Sequence, residues 1–136
     1  MSFSFEPINT ILGVIKGRNA IFLDEAIYVG NQIELRGEFN SNLCSNSKET
    51  DAYIGYSLTF VGVMGINMIE LDLNNDFGRS AFDRVVNSVW INEMRLRDHS
   101  AKVKPDLEHY FVATYDDVFN IACESFELKI LNTRKG

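Results

Sequence analysis

The sequence predicts an α+β fold, a mainly antiparallel β-sheet packed by one main helix, in a single globular domain over residues 1–136. Three observations predict this fold. Apolar residues make up 46% of the 136 residues, which suits one domain with a buried core. Most apolar stretches alternate with polar residues at a period of two, as strands with one buried face do. Residues 6–16 and 80–92 instead place apolar residues at helical spacing.

The first helical stretch predicts a short N-terminal helix at residues 6–16. Its apolar residues follow the i, i+3, i+4, i+7 pattern: Ile8, Ile11, Leu12 and Ile15. Pro7 suits a first helical turn, and Gly17 suits a helix end. Because the stretch is short, a strand is the alternative.

The next part of the chain predicts strands around one long loop. Gly30 and Asn31 lie between two apolar stretches, which is typical of a two-residue hairpin turn. The strand after them, residues 32–39, alternates so that three charged side chains face water: Glu34, Arg36 and Glu38. Residues 40–50 are rich in Asn and Ser, which favour turns, and they predict a long loop. A strand is predicted after it, at residues 52–61.

The main helix is predicted at about residues 80–92. Five apolar side chains form a stripe at helical spacing: Phe82, Val85, Val86, Val89 and Trp90. Ser80 suits the N-cap position, and Asp83 three residues on resembles a capping box with Asp in place of Glu. A strand at residues 66–73 precedes this helix, after a turn or bulge at Gly62.

The C-terminal third returns to strands. Residues 108–123 predict a hairpin with Asp116-Asp117 as its turn, a register that sets Tyr110 opposite Cys123. Beyond this hairpin the apolar residues fall on even instead of odd positions: Phe126, Leu128 and Ile130. The change of parity predicts a bulge or a break between two strands near Glu124.

The net charge of −6 argues against a nucleic-acid partner, because nucleic-acid-binding domains usually carry a basic face. Residues 1–76 contain ten acidic and four basic side chains, whereas residues 77–136 contain nine of each. An acidic surface attracts a basic protein partner. We therefore expect partner binding at four acidic residues: Glu34 and Glu38 on the strand face, and Glu49 and Asp51 at the loop end. A solubilising surface is the alternative interpretation.

The sequence predicts no catalytic, cofactor or metal site. Cysteine and histidine are isolated from one another, without the close spacing of a zinc site. One group resembles a catalytic constellation: His109, Asp116, Asp117 and Cys123. The predicted hairpin places His109 and Cys123 on opposite faces of the sheet, which argues against catalysis.

We expect a cytoplasmic protein without a membrane segment. The N-terminus has neither the basic nor the apolar region of a signal peptide. The longest mostly apolar stretch, residues 58–69, is shorter than the roughly 20 residues of a spanning helix. Cys44 and Cys123 are then expected as reduced thiols.

The size, the acidity and the strand-rich pattern resemble small bacterial immunity proteins of contact-dependent and polymorphic toxin systems. Residues 109–119 are also similar to segments of bacterial proteins of that kind. This resemblance implies a non-enzymatic inhibitor that binds one cognate toxin domain and blocks its active site or substrate access. Such a partner is often a basic nuclease, and the family shares no catalytic residues.

Two other functions remain open. A small enzyme or ligand-binding domain would have a pocket between the helix and the sheet, near His109 or the carboxylates. A phage-type inhibitor that mimics nucleic acid would carry rows of carboxylates at phosphate-like spacing. The mixed charges of Glu34, Arg36 and Glu38 do not show such a row.

Overall fold

Two antiparallel sheets and one α-helix make up the computed structural model, which describes residues 4–71 and 78–136. The strands are β1 (Ser4–Pro7), β2 (Ile21–Val29), β3 (Gln32–Asn40), β4 (Ala52–Val61), β5 (Gly65–Glu70), β6 (Phe82–Val86), β7 (Glu108–Ala113), β8 (Asp117–Cys123) and β9 (Ser125–Lys135). A 3₁₀ turn lies at Ser41–Leu43, and α1 is Val89–Arg97. One sheet has the order β1-β6-β7-β8-β5 and the other β2-β3-β4-β9. The predicted α+β class is confirmed.

The two sheets enclose a shared apolar core. Phe60 of β4 lies 6.3 Å from Phe82 of β6 and 5.8 Å from Tyr110 of β7, measured between ring centroids. Ring contacts between the sheets at these distances add to the stabilisation from burial. Helix α1 packs on the opposite face of the five-stranded sheet, where Ile91 contacts Ala122 of β8.

Among the described strands the chain changes sheet three times, after β1, β4 and β8, and the last two changes are tight corners. Between β4 and β5 it turns at Gly62, whose positive φ of 69° favours glycine. Between β8 and β9 it turns at Glu124, whose backbone N–H donates to the Val61 carbonyl at 3.0 Å. The predicted change of parity near Glu124 is confirmed as a break between two strands, and its cause is that β8 and β9 belong to different sheets.

The hairpin turn at Gly30 and Asn31 is confirmed, because Val29 pairs with Gln32 across it. The predicted faces of β3 are also confirmed. Its apolar residues lie in the core, namely Ile33, Leu35 and Phe39, and its charged residues face outward. The strand predicted at residues 66–73 corresponds to β5, although residues 72–73 lie outside the described residues.

The helix predicted at residues 80–92 is wrong in position. Residues 82–86 form β6, and the helix begins at Val89. Ser88, not Ser80, is its N-cap, since the Ser88 hydroxyl accepts from the Ile91 N–H at 3.2 Å. Phe82 and Val85 point to opposite faces of the five-stranded sheet. The apolar pattern that resembled one helix therefore combines two elements. Its first part is a strand rich in β-branched residues, and its last part is the first turn of α1.

The N-terminal helix predicted at residues 6–16 is also wrong. Residues 4–7 pair with β6 as a strand, and a tight turn follows in which the N–H of Gly13 donates to the Thr10 carbonyl at 2.8 Å. The Thr10 hydroxyl accepts from the Leu12 N–H, which stabilises the turn against a helix. Ile11, placed on the apolar face by the helical pattern, is 72% exposed.

The predicted register of the last hairpin is wrong by two residues. Tyr110 pairs with Ile121 instead of Cys123. The turn is closed by Thr114, whose hydroxyl accepts from the Asp117 N–H at 2.9 Å, so Asp117 already belongs to β8. A shift of two residues keeps every side chain on its predicted face.

A close approach of two backbones at Gly37 provides a test of the four-stranded sheet. A Cβ at Gly37 would overlap the Phe22 carbonyl oxygen and lie 2.8 Å from its carbonyl carbon. We expect Gly37→Ala to reduce the free energy of unfolding by about 3 kcal/mol, the upper part of the range for overpacking. Gly30→Ala should cost only about 1 kcal/mol, because Gly30 has a positive φ but open space around it. Chemical denaturation measures both, and equal stabilities of Gly37→Ala and the parent chain would contradict this packing.

Candidate partner-binding surface

The outward face of the four-stranded sheet carries the acidic residues that the sequence singled out. We define the outer sheet face by its charged side chains on β2, β3 and β9: Glu25, Glu34, Arg36, Glu38, Glu127, Lys129 and Arg134. Inward-pointing Leu58 and Phe60 fix this orientation, because side chains alternate along a strand.

Glu34 lies in the middle of the outer sheet face. It accepts a hydrogen bond from the Ser57 hydroxyl and another from Arg36 Nε at 3.0 Å. These two hydrogen bonds lower the pKa of the Glu34 carboxyl, and the charges of Arg36 and Lys129 lower it further. Glu34 is therefore a fixed negative charge at neutral pH.

Glu38 forms a two-point ion pair with the last strand. Arg134 donates to its carboxylate from Nε at 2.7 Å and from a terminal guanidinium nitrogen at 2.9 Å. The same guanidinium lies 4.6 Å from the ring centroid of Tyr53. Such a planar, two-point contact orients both side chains.

Glu49 and Asp51 lie at the end of the same sheet, before β4. The Glu49 carboxylate is 3.5 Å from Lys135 Nζ. Asp51 accepts from the Asn42 amide at 2.9 Å, and its own N–H donates to the Asn42 side chain at 3.0 Å. The loop predicted at residues 40–50 is thus tied down at this end, and its Ser41 is buried.

The structure brings all four predicted residues to one sheet but places three basic residues of β9 beside them. These are Lys129, Arg134 and Lys135. These bases belong to residues 77–136, whose charges sum to zero. On this sheet they partly balance the acidic excess of residues 1–76. The alternation of Phe126, Leu128 and Ile130 predicts strand structure after either a bulge or a break. The neighbour of that strand depends on tertiary pairing, so the sequence did not reveal these bases.

The constellation of His109, Asp116, Asp117 and Cys123 is not assembled. Cys123 points into the shared core, whereas His109 lies on the other face beneath α1, 5.1 Å from the Trp90 ring. Burial raises the pKa of the Cys123 thiol to about 12 and of the Cys44 thiol to about 11. Both cysteines are free thiols in the core and are neutral at physiological pH.

His109 is held as a neutral imidazole. Its Nδ1 lies 2.7 Å from the Ser88 hydroxyl and its Nε2 lies 2.7 Å from Asn120 Oδ1. Because the Asn120 oxygen only accepts, Nε2 carries the proton and donates to it. Burial lowers the pKa of His109, although the Asn120 hydrogen bond opposes this shift.

Within residues 4–71 and 78–136, no group of three or more His, Cys, Asp or Glu side chains could hold a metal ion. None of the helices in this described part is long and apolar enough to span a membrane. Comparison with protein-family models, curated proteins and solved structures found no match to this chain.

The buried His109 predicts a pH dependence of stability. Its folded pKa lies below its unfolded pKa of about 6.5, so the unfolded chain takes up the proton first as the pH falls. Stability from the neutral imidazole is fully present above about pH 6.5 and is lost below it. We expect unfolding midpoints to fall between about pH 7 and about pH 5, and His109→Gln to flatten this fall.

His99→Gln is the matched control, because His99 is exposed. Its unfolding midpoints should follow those of the parent chain across the same pH range. If His109→Gln does not fold, an NMR titration of the His109 ring in the parent chain gives the pKa directly. A His109 pKa at or above about 6.5 would contradict the prediction.

Proposed function

We propose that this chain is a non-enzymatic, cytoplasmic binding protein of the immunity type, which neutralises a cognate toxin domain through the outer sheet face. The observation that carries the proposal is the ordered set of partly exposed carboxylates on that face. Glu34 and Glu38 point outward from one strand and are oriented by their arginine partners. Glu49 and Asp51 extend the surface at the end of the sheet.

The ion pairs on this face leave the carboxylates available to a basic partner. Arg36 and Arg134 are 49% and 62% exposed at their side chains. Exposed ion pairs contribute only about 0–1 kcal/mol to stability, so exchanging an internal arginine for a partner's cation costs little. In the free protein the pairs hold the carboxylates in place, which reduces the side-chain ordering needed on binding.

Complementary charge acts mainly on the rate and the specificity of association. A basic toxin domain would be steered towards the acidic side chains, whereas the bases of β9 would repel a wrongly placed cation. The alternation of charge across β3 and β9 would then fix the register of the complex.

Charge reversal on the outer sheet face tests this function. Glu34→Lys/Glu38→Lys should leave the fold intact and slow association with the partner about tenfold or more at low salt. The matched control is Glu93→Lys/Asp106→Lys, which makes the same charge change at exposed residues outside the outer sheet face. A partner is first isolated from native lysate as a protein retained by the parent chain, and association rates are then measured with both purified proteins.

Three results would contradict the proposal. The first is an association rate unchanged by Glu34→Lys/Glu38→Lys at low salt. The second is equal slowing by the control, which would show a nonspecific effect of net charge. The third is a partner whose activity is unaffected by saturating amounts of this chain, because an inhibitor must reduce it. In about 1 M salt the rate difference should shrink, since exposed charges are then screened.

A further inference from the structure

An open cavity of about 520 Å³ lies beside the end of β7. It is bounded by three stretches of chain: residues 16–18, residues 78–81 and residues 111–114. Leu71, Phe111 and Ala113 give its described lining an apolar surface. The volume is within the usual range of small-molecule sites, roughly 300–1,000 Å³.

Three basic side chains line this cavity: Lys16, Arg18 and Arg79. Within the described part of the chain, none of the three makes an ion pair with a carboxylate. The chain carries a net charge of −6, and six of its other bases are paired with acids. Among the described residues, seven of the thirteen bases therefore have no carboxylate partner, and three of these seven lie around this one cavity.

One cation is held in place by a ring. The Arg18 guanidinium lies 5.1 Å from the centroid of the Tyr115 ring, which in turn stacks on Phe22 at 5.6 Å. Stacking restricts the long arginine side chain but leaves its N–H donors free to bind an anion.

The walls of the cavity are fixed by hydrogen bonds. The buried Asp83 carboxylate accepts from the backbone N–H of Arg79 at 2.7 Å, from that of Ser80 at 3.1 Å, and from the Ser80 hydroxyl. The N–H of Ala81 donates to the Ile15 carbonyl at 2.8 Å, which joins this wall to the residue before Lys16. Asp83 is thus an acid near the cavity, but its oxygens are engaged with the wall behind it.

We propose that this cavity binds a small organic anion with an apolar body, carrying a phosphate or a carboxylate group. The anionic group would lie among Lys16, Arg18 and Arg79, because charge-assisted hydrogen bonds from such donors are short and strong. The apolar body would cover Phe111 and Leu71. This site is independent of the partner-binding proposal, since it involves none of the four acidic residues.

Binding is tested with probes that separate the two parts of the proposed ligand. The probes 1-naphthyl phosphate and 1-naphthoate carry both parts, 1-naphthol lacks the charge, and inorganic phosphate lacks the apolar body. Titration followed by NMR gives Kd and locates each probe through the amide signals of Gly78 and Ala113. We expect one or both naphthyl anions to bind at least about tenfold more tightly than 1-naphthol or inorganic phosphate.

Variants at the cations complete the test. Lys16→Gln and Arg79→Gln should each weaken binding of the naphthyl anion about tenfold, because each removes a charged donor. The matched controls are Lys48→Gln and Arg97→Gln, which remove exposed charges outside the cavity and should change Kd less than about twofold. Thermal unfolding confirms that each variant folds, and the two single variants provide independent tests.

Several results would overturn the proposal. Equal binding of 1-naphthol would show an apolar site without anion recognition. Unchanged Kd values for both Lys16→Gln and Arg79→Gln would show that the cations do not contact the ligand. Failure of both naphthyl anions to perturb Gly78 or Ala113 at millimolar concentration, about the weak limit of specific binding, would remove the site altogether.

Discussion

The packing of two sheets against one another is the constraint on which the rest of the structure depends. Phe60 of the four-stranded sheet contacts Phe82 and Tyr110 of the five-stranded sheet across the interface. Phe126 of β9 contacts all three rings. β3 and β9 turn apolar residues to this core, so their alternate side chains must face outward. The corners at Gly62 and Glu124 exist because the chain crosses from one sheet to the other there.

The charge pattern of the outer sheet face follows from the same packing. Leu128 packs against the shared core, opposite Leu58 of β4, and thereby fixes the register of β9. Lys129 and Arg134 then lie on the outward face, near the carboxylates of β3. Exposed ion pairs contribute little free energy, so apolar burial sets the pairing of these strands and the charges follow.

A continuous row of aromatic and basic side chains connects the cavity with the outer sheet face. Arg18 lies over Tyr115, which stacks on Phe22, and Phe22 contacts Tyr53 at 6.0 Å. At the other end of this row, the Arg134 guanidinium lies over the Tyr53 ring and also donates to the Glu38 carboxylate. A row of side-chain contacts therefore links the two candidate sites, although the sites involve different residues and different chemistry.

The sequence by itself determined the features that depend on local alternation and turn chemistry. These include the strand-rich α+β class, the hairpin turn at Gly30 and Asn31, the outward direction of Glu34 and Glu38, and the change of parity near Glu124. Each follows from residues close together in the chain, because side chains alternate along a strand and glycine permits a positive φ.

Only the tertiary structure decided where the helix begins, which strand lies beside β4, and which bases surround the cavity. Residues 82–86 fit helical spacing as well as a strand, and their pairing with β1 and β7 selects the strand. Arg134 pairs with Glu38, which is far from it in the sequence. Lys16 and Arg79, also far apart in the sequence, line the same cavity. Contacts between residues far apart in sequence are set by how whole faces pack, which local periodicity does not encode.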